Sequence, residues 1–148
     1  MITYKRGDVT NASEQLIVHG CNAQGVMGSG VALAIRRKWP WVYDAYAQLQ
    51  PPIRLGHVQF IETKPNSSQY VGNAITQEYY GKSGTRFVSY DAIDECMQRV
   101  HLFLYDNELI DSVAMPKIGA GLGGGDWGVI EAIIKDRLAD HNVSIYEL

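Results

Sequence analysis

The chain has 148 residues, 46% of them hydrophobic and 20% charged, so it can bury the core of one domain without disulfides or metal ions. No apolar run approaches the roughly 20 residues that span a bilayer, and no signal-peptide core follows the N-terminus. Its two cysteines match no zinc or redox spacing, so we expect a cytoplasmic protein. The net charge of −3, without an extended basic face, argues against nucleic-acid binding and leaves anions to be held by backbone amides.

The first half of the chain alternates strand-like and helical segments. Short apolar runs predict strands over Ile2 to Lys5, Leu16 to His19, His57 to Glu62 and Gln69 to Ala74. Helical spacing of apolar residues predicts helices over Val31 to Trp39 and, after Pro40, over Trp41 to Leu49.

The second half continues the alternation. A long amphipathic helix is predicted from Tyr90 to Tyr105, with one apolar side formed by Ile93, Met97, Val100, Phe103 and Leu104. A strand over Ser112 to Met115, a helix over Val129 to Leu138 and a strand over Val143 to Tyr146 follow. This succession, free of repeats and linkers, predicts an α/β fold in which helices cover both faces of a sheet within one domain, residues 1–148.

The first glycine-rich loop joins a buried strand to a helix and reads HGCNAQGVMGSGVA. Gly25, Gly28 and Gly30 allow positive φ angles and a close approach of the backbone to a ligand. The helix beginning near Val31 directs its unpaired N–H groups into the same space, which is typical of an anion site. A turn that serves packing alone is the alternative.

The second glycine-rich loop, PKIGAGLGGGDW, also follows a strand and precedes a helix. Five glycines in seven residues carry an entropic cost that a purely structural turn rarely needs. Both loops should lie at the carboxyl edge of the sheet, where such folds bind ligands. Two loops facing one crevice suit a ligand with two linked phosphates.

Three motifs in this order resemble the macrodomain family: GDVT near the N-terminus, the HGCNAQGVMGSGVA unit and MPKIGAGLGGGDW. The resemblance covers nearly the whole chain. It is strongest to the branch that contains the yeast ADP-ribose 1''-phosphate phosphatase and the terminal ADP-ribose glutamate hydrolase, together with small phage and bacterial proteins. It implies a three-layer α/β/α fold with a mixed central sheet, and ADP-ribose or a derivative as the ligand.

The resemblance also implies roles for individual residues. Asp8 and Val9 would contact the adenine, with Leu148 packing nearby, and Gly20, Cys21 and Asn22 would line the distal ribose. The phosphates would be wrapped by Met27, Gly28, Ser29, Gly30, Val31 and Ala32 on one side, and by Lys117, Ile118, Gly119, Ala120, Gly121, Leu122 and Gly123 on the other. More ordinary interpretations remain for Asp8 as a turn or cap residue, Asn22 as an Asx-turn residue and Leu148 as core.

Two residues are candidates for catalysis. His19 ends the strand before the first loop, where a histidine is implicated in catalysis in the phosphatase-like branch, and it would act as general acid–base or nucleophile. Asp126 ends the second loop as the carboxylate that would orient either His19 or a water molecule. The alternatives are a buried core histidine and an N-cap for the following helix.

The glutamate hydrolase branch uses a lysine nucleophile and an aspartate whose places are taken here by Gln77 and Gly123. Neither residue can form a lysyl adduct or act as a base, although Lys82 lies nearby and a water-mediated route stays open.

The leading hypothesis is therefore an ADP-ribose-binding domain with phosphatase activity on ADP-ribose 1''-phosphate, in which loop amides stabilise the phosphate charge. The alternatives are a non-catalytic ADP-ribose reader and a mono-ADP-ribosyl hydrolase, with a nucleic-acid-binding domain well behind. No metal or cofactor is implied, because no His, Asp or Glu cluster has ligand spacing. Three tyrosines near the loops, Tyr79, Tyr80 and Tyr90, are candidates for stacking on adenine or covering the ligand, and Trp127 is a candidate for a contact with the distal ribose. Packing is the more ordinary interpretation for all four, so none is included in the site.

Overall fold

A computed structural model of the chain describes residues 1–79, 88–121 and 123–148. The strands of this structure are β1 (Ile2–Arg6), β2 (Leu16–Asn22), β3 (Val58–Glu62), β4 (Tyr70–Gln77), β5 (Ser112–Met115) and β6 (Asn142–Glu147). Its α-helices are α1 (Gly30–Lys38), α2 (Pro40–Ala47), α3 (Tyr90–Asp106) and α4 (Trp127–Arg137), and a short 3-10 helix spans Val9–Asn11.

The described strands form one sheet in the order β1-β6-β5-β2-β4-β3. All neighbouring pairs are parallel except β3 and β4, which are antiparallel, so the sheet is mixed as expected. Parallel neighbours need long crossover connections, and the helices supply them. The predicted α/β class is confirmed.

Helices cover both faces of the sheet. On one face, α3 and α4 pack against it through residues such as Met97, Ile130 and Ile134, and on the other face α1 and α2 contribute Ile35 and Val42. Side chains of β2 alternate between the two cores, because successive residues of a strand point to opposite faces. The three-layer arrangement that the resemblance implied is therefore confirmed.

Strand β2 is longer than the sequence predicts. It continues past His19 to Asn22, because β4 also continues and pairs Cys21 with Ile75 and Asn22 with Gln77. Gly20 thus lies in a strand, where an added Cβ would sit 3.0 Å from Thr76 Oγ1. The glycine at this position leaves room for the side chains of Thr76 and Ile118.

The helix predictions are correct in type and differ at the ends. Helix α4 begins at Trp127 rather than Val129, because Asp126 caps its N-terminus. Ile93, Met97 and Val100 on the predicted apolar side of α3 are fully buried, while Phe103 is partly buried and stacks on Phe60 at 3.9 Å between ring centroids. No helix in the described parts of the chain is both long and apolar enough to cross a membrane.

Candidate functional site

The two glycine-rich loops emerge side by side from the same edge of the sheet. Strands β2 and β5 are parallel neighbours, with Leu16 opposite Val113 and Ile17 opposite Ala114. The loops that follow them therefore leave at their shared carboxyl edge, as the sequence predicts. The ends of the two units are close in space, since a Cβ on Gly20 would lie 3.5 Å from Ile118 Cγ2.

The first loop is built on the side chain of Asn22. Its Oδ1 accepts hydrogen bonds from the backbone N–H groups of Gln24 at 3.0 Å and Val26 at 3.3 Å, while its Nδ2 donates to Val26 O at 2.8 Å. The hydroxyl of Tyr46 in α2 donates to Asn22 O at 2.6 Å. Asn22 is thus an Asx-turn residue that shapes the loop, and its contact with a ribose stays a prediction.

The backbone from residue 27 to residue 32 presents a row of unused donors. None of these six amides donates a hydrogen bond to another residue that the structure describes, and the first helical donor is Leu33, which bonds to Ser29 O at 3.2 Å. Ser29 occupies the N-cap of α1 without a side-chain hydrogen bond, and the first turn holds no acidic residue. Because the N-terminus of a helix carries partial positive charge, this stretch is suited to an anion.

Glycine is required at two places in the first loop for conformational reasons. Gly25 has φ +82° and Gly30 has φ +58°, both in the left-handed region that other residues rarely adopt. No atom lies within 4 Å of a Cβ added at Gly30, and Gly28, Ser29 and Gly30 are exposed. The start of α1 therefore lies open to a ligand.

The second loop is closed by its own backbone. Gly125 N donates to Gly119 O at 2.7 Å, Gly124 N donates to Gly121 O at 3.1 Å, and Gly123 O accepts from Val88 N at 3.0 Å. Apart from these closures, the amides of Gly119, Gly121 and Gly123 donate to no other residue within the described ranges. The loop therefore also has donors to offer to a ligand.

Glycines in the second loop are needed for packing as well. A Cβ on Gly119 or on Gly125 would lie 2.7 Å from a methyl group of Val88, and one on Gly123 would lie 2.7 Å from Gly119 O. Gly119 also has φ +76°. The predicted residue Leu122 lies outside the described residues, as do Tyr80, Lys82 and the rest of the segment from residue 80 to residue 87.

Asp126 caps helix α4. Its Oδ1 accepts a hydrogen bond from Gly128 N at 2.8 Å, and its own N–H donates to the hydroxyl of Tyr90 at 3.0 Å. The capping role that the sequence offers for this residue is confirmed, and its catalytic role stays a prediction.

His19 lies beneath the first loop rather than within it. The side chain is fully buried, its Nε2 lies 2.6 Å from Asn73 Oδ1, and Cys21 Sγ lies 3.7 Å from the same nitrogen. Burial lowers the pKa of His19 to about 4, although the hydrogen bond with Asn73 acts in the opposite direction, so the ring is neutral near pH 7.

The structure does not bring His19 and Asp126 together. Asn73, the partner of His19, donates to Val42 O of α2 at 3.4 Å, which places this polar group in the layer of α1 and α2. Asp126 begins α4 on the other face of the sheet. No hydrogen bond joins His19 to Asp126 among the described residues. The catalytic roles of both residues remain predictions, and that of His19 requires its ring to become accessible.

The residues expected around the adenine are near chain ends and turns. Asp8 caps the 3-10 helix, with its Oδ1 accepting from Thr10 N at 2.9 Å and from Thr10 Oγ1 at 2.8 Å, so the cap interpretation is confirmed. Val9 is buried, whereas Leu148 is 91% exposed and the core interpretation for it is wrong. Their contacts with adenine stay predictions.

Three other predicted site residues have partners inside the protein. Lys117 Nζ forms an ion pair with Glu147 Oε1 at 2.5 Å, which raises the pKa of the lysine. Ile118 and Cys21 are buried in the core, and burial raises the pKa of the Cys21 thiol far above its usual range. A contact of Ile118 or Cys21 with a ligand would have to use the backbone.

Two residues of the site were missed at the sequence level. The hydroxyl of Tyr46 in α2 forms hydrogen bonds with Asn22. No local pattern in the sequence shows that a tyrosine in a helix contacts a loop in this way. Gln77 bridges the loops, because its backbone oxygen accepts from Ala23 N at 2.9 Å and its Oε1 lies 3.1 Å from the position of a Cβ on Gly123. The sequence marked Gln77 only as a substitute for a lysine.

The chain is similar to known proteins along most of its length. A family model described as Macro domain matches residues 18–134. A 17.5 kDa protein of Enterobacteria phage T4 is 30% identical over 140 residues, which cover 90% of this chain and 88% of the phage protein. The DNA ADP-ribosyl glycohydrolase of Mycobacterium tuberculosis is 31% identical over 136 residues, which cover 88% of this chain but only 37% of the mycobacterial protein.

A third relative, the ADP-ribose 1''-phosphate phosphatase of Debaryomyces hansenii, is 26% identical over 99% of this chain and 98% of its own. Among solved structures, a protein of unknown function from Bacteroides thetaiotaomicron is 37% identical with a TM-score of 0.88, covering 100% of this chain and 98% of that one. A macrodomain protein from Streptomyces coelicolor is 34% identical with a TM-score of 0.81 and covers 100% and 99% of the two chains. The chain belongs to the macrodomain family.

Proposed function

We propose that this macrodomain binds the ADP-ribose group, with the diphosphate held by the main-chain amides of residues 27–32 and covered by the second loop. The observation that carries the proposal is the row of six donors at the uncapped N-terminus of α1. Binding by backbone amides is also compatible with the net charge of −3, because amides attract phosphate without basic side chains.

The second loop supports the same ligand. The amides of Gly119, Gly121 and Gly123, which donate to no described residue, follow the neighbouring strand, so donors converge from two sides of one edge. The names of two relatives, an ADP-ribosyl glycohydrolase and an ADP-ribose 1''-phosphate phosphatase, support ADP-ribose as the shared ligand. Both names also describe hydrolysis, which supports a hydrolase at this coarse level.

The finer activity we propose is hydrolysis of ADP-ribose 1''-phosphate to ADP-ribose and inorganic phosphate. The relative that bears this name aligns over nearly the full length of both chains. Water would attack phosphorus, the bond from phosphorus to the ribose oxygen would break, and a proton given up by the water would end on that oxygen. Loop amides would stabilise the charge that develops on the phosphate. Asp126 would orient the water with its Oδ2, because the helix cap uses Oδ1.

His19 would assist this reaction only when its ring can reach the ligand. In the free protein its ring is buried and neutral. We therefore assign it first a structural role, in which its hydrogen bond with Asn73 joins β2 to β4 beneath the first loop. Release of phosphate by a His19→Ala variant at the unaltered rate would remove it from the reaction, whereas loss of turnover with retained ADP-ribose affinity would support the catalytic role.

A change at Ser29 tests the diphosphate site directly. Ser29→Asp places a carboxylate at the N-cap, where it should keep α1 stable but compete with the ligand for the amides and repel it. We expect calorimetry with ADP-ribose to show a dissociation constant raised about tenfold or more.

Ser29→Asn is the matched control for Ser29→Asp, because asparagine has the same shape as aspartate and caps helices equally well but lacks the negative charge. It should bind within about twofold of the unaltered protein. Equal affinity of the Asp and Asn variants would contradict the placement of the diphosphate, and absence of binding by the unaltered protein would overturn the proposal itself.

A second candidate is an ADP-ribosyl hydrolase. It is favoured by the mycobacterial relative, which is 31% identical over 88% of this chain and bears the name of a DNA ADP-ribosyl glycohydrolase. Gln77 and Gly123 stand where the hydrolase branch has its lysine and aspartate, so this activity would have to proceed through water.

Three assays separate the candidates: phosphate release from ADP-ribose 1''-phosphate, ADP-ribose release from modified DNA, and ADP-ribose release from modified protein. Phosphate release alone supports the phosphatase, and ADP-ribose release supports the hydrolase. Tight ADP-ribose binding without turnover in any assay identifies a non-catalytic reader.

A further inference from the structure

Five side chains meet on the outside of the second loop, where the loop joins the edge of the sheet. They come from β1, from the entry of the loop, from α4 and from the end of β6, and they are Tyr4, Lys117, Trp127, Glu131 and Glu147. Lys117 Nζ lies 6.0 Å from the centroid of the Trp127 ring, which brings the ion pair beside the tyrosine group. We call this group the edge clasp. It lies outside the row of backbone donors, so the proposed function does not account for it.

The centre of the edge clasp is the hydroxyl of Tyr4. It accepts a hydrogen bond from Trp127 Nε1 at 2.8 Å and donates its own proton to the carboxylate of Glu131. Residues 127 and 131 occupy the first and second turns of α4, so one phenol holds both turns against β1. A second contact, the ion pair of Lys117 with Glu147, joins the entry of the loop to the end of β6.

The edge clasp therefore fixes both stems of the second loop from outside. Lys117 stands directly before the glycine-rich segment, and Trp127 directly follows the cap residue Asp126. The interior of the loop is held by backbone bonds that run within it and to Val88. A shift of either stem would move the amides of Gly119, Gly121 and Gly123 together relative to the first loop.

The Tyr4 hydroxyl should contribute little to the stability of the fold. Tyr4 is 45% exposed, and Trp127 is already packed against the core through its ring. When the hydroxyl is removed, the exposed indole N–H and carboxylate can bond to water, so the cost to stability is small. An effect on ligand binding would thus reflect position rather than folding.

We propose that Tyr4 is a positioning residue for the ligand site, which sets the location of the second-loop amides through the Trp127 indole and the Glu131 carboxylate. This inference rests on the proposed function, since it assumes that those amides contact the ADP-ribose diphosphate. It assigns to the first strand of the chain a role in affinity that neither glycine-rich loop reveals.

The test compares two variants of the edge clasp with a control. Tyr4→Phe removes both hydrogen bonds and keeps the ring, and Trp127→Phe removes the indole donor and keeps an aromatic ring against the core. Tyr105→Phe is the control, because Tyr105 is 74% exposed near the end of α3 and lies beside the residues at the amino ends of β5 and β6, whereas the second loop follows the carboxyl end of β5. Thermal unfolding checks that all three variants remain folded.

We expect Tyr4→Phe and Trp127→Phe each to raise the dissociation constant for ADP-ribose by about three- to tenfold. Amide hydrogen exchange at residues 123–128 of the ligand-free protein should accelerate by a similar factor. The double variant should be little worse than Tyr4→Phe alone, because both changes remove the same bond. Tyr105→Phe should change neither affinity nor exchange.

Each outcome has a distinct meaning. Unchanged affinity of Tyr4→Phe beside normal binding by the unaltered protein would overturn this inference and leave the proposed function intact. Equal losses in Tyr4→Phe and Tyr105→Phe would also overturn it, since the effect would not be local. Absence of ADP-ribose binding by the unaltered protein would overturn both.

Discussion

Two units of this molecule share one plan, a strand followed by a glycine-rich loop and a helix, yet they complete it differently. The N-cap of helix α1 is Ser29, which makes no capping hydrogen bond with its side chain, whereas the N-cap of helix α4 is Asp126, whose carboxylate accepts a hydrogen bond from Gly128 N. The partial positive charge of α1 is therefore available to a ligand, and that of α4 is already matched by an aspartate. Similar loop sequences can thus serve different purposes.

The two loops are also supported by different forces. The first stands on polar side chains, with Asn22 and Tyr46 holding its backbone and His19 bonded to Asn73 beneath it. The second stands on its own backbone bonds and on close packing of Gly119 and Gly125 against Val88. Changes of volume should therefore damage the second loop, and changes of protonation should act on the first.

The largest expected effect is on stability, and it comes from adding a methyl group to a glycine of each loop. Gly119→Ala would place a methyl group 2.7 Å from Val88 at φ +76°, so we expect the free energy of unfolding to fall by about 3 kcal/mol or more. In Gly30→Ala the added methyl group meets no atom within 4 Å, so only the strain of φ +58° remains. We expect this variant to lose about 1 kcal/mol of the free energy of unfolding. Urea denaturation of the two variants measures the difference, and equal losses would contradict the contrast in packing.

A comparable loss of stability should occur when the pH is lowered, and it should arise from His19, beneath the first loop. The pKa of His19 is about 4 in the folded protein and near 6.5 when unfolded, so between these values the unfolded chain binds more protons. The free energy of unfolding should therefore fall by about 3 kcal/mol as the pH drops from 6.5 to 4.

His19→Gln isolates this contribution, because glutamine can keep a hydrogen bond with Asn73 but does not titrate. Denaturation measured at intervals between pH 7 and pH 4 should show a smaller loss in the variant. His57 and His141, whose pKa values are also lowered by burial, account for part of the slope that remains. Identical slopes would mean that His19 is not the buried neutral ring of the structure.

The smallest effect tests the difference between the helix caps. Asp126→Ala removes a side-chain cap and should lower the free energy of unfolding by about 1 kcal/mol. Ser29→Ala removes a hydroxyl that makes no such bond, so a change within about 0.5 kcal/mol is expected. Equal losses in thermal or urea denaturation would show that Ser29 caps α1 after all.

Much of the fold follows from local sequence. The amphipathic spacing of Ile93, Met97 and Val100 predicted α3, and the apolar run before the second loop predicted β5 with its observed ends. Ends that depend on a partner were less accurate. Strand β2 passes His19 only because β4 lies beside it, and no local pattern in the LIVH segment signals that neighbour.

The candidate site was predicted at the level of the backbone and less well at the level of side chains. Glycine spacing and helix starts located both loops, since these features depend on conformation that glycine alone permits. The sequence did not reveal that His19 and Asp126 face opposite layers of the sheet, because the position of a residue next to a loop carries no signal of the layer that it faces. Their catalytic roles stay predictions. Tyr46 and Gln77 were missed because their contacts join distant segments.

The sequence by itself determined the order of strands and helices, the two glycine-rich loops and the absence of an extended basic surface. These are properties of composition and of short-range periodicity. The tertiary structure alone decided which helix start stays uncapped, which layer encloses His19 and how Tyr4 reaches Trp127. Each of these depends on the pairing of strands far apart in the chain, which brings together side chains that no local spacing relates.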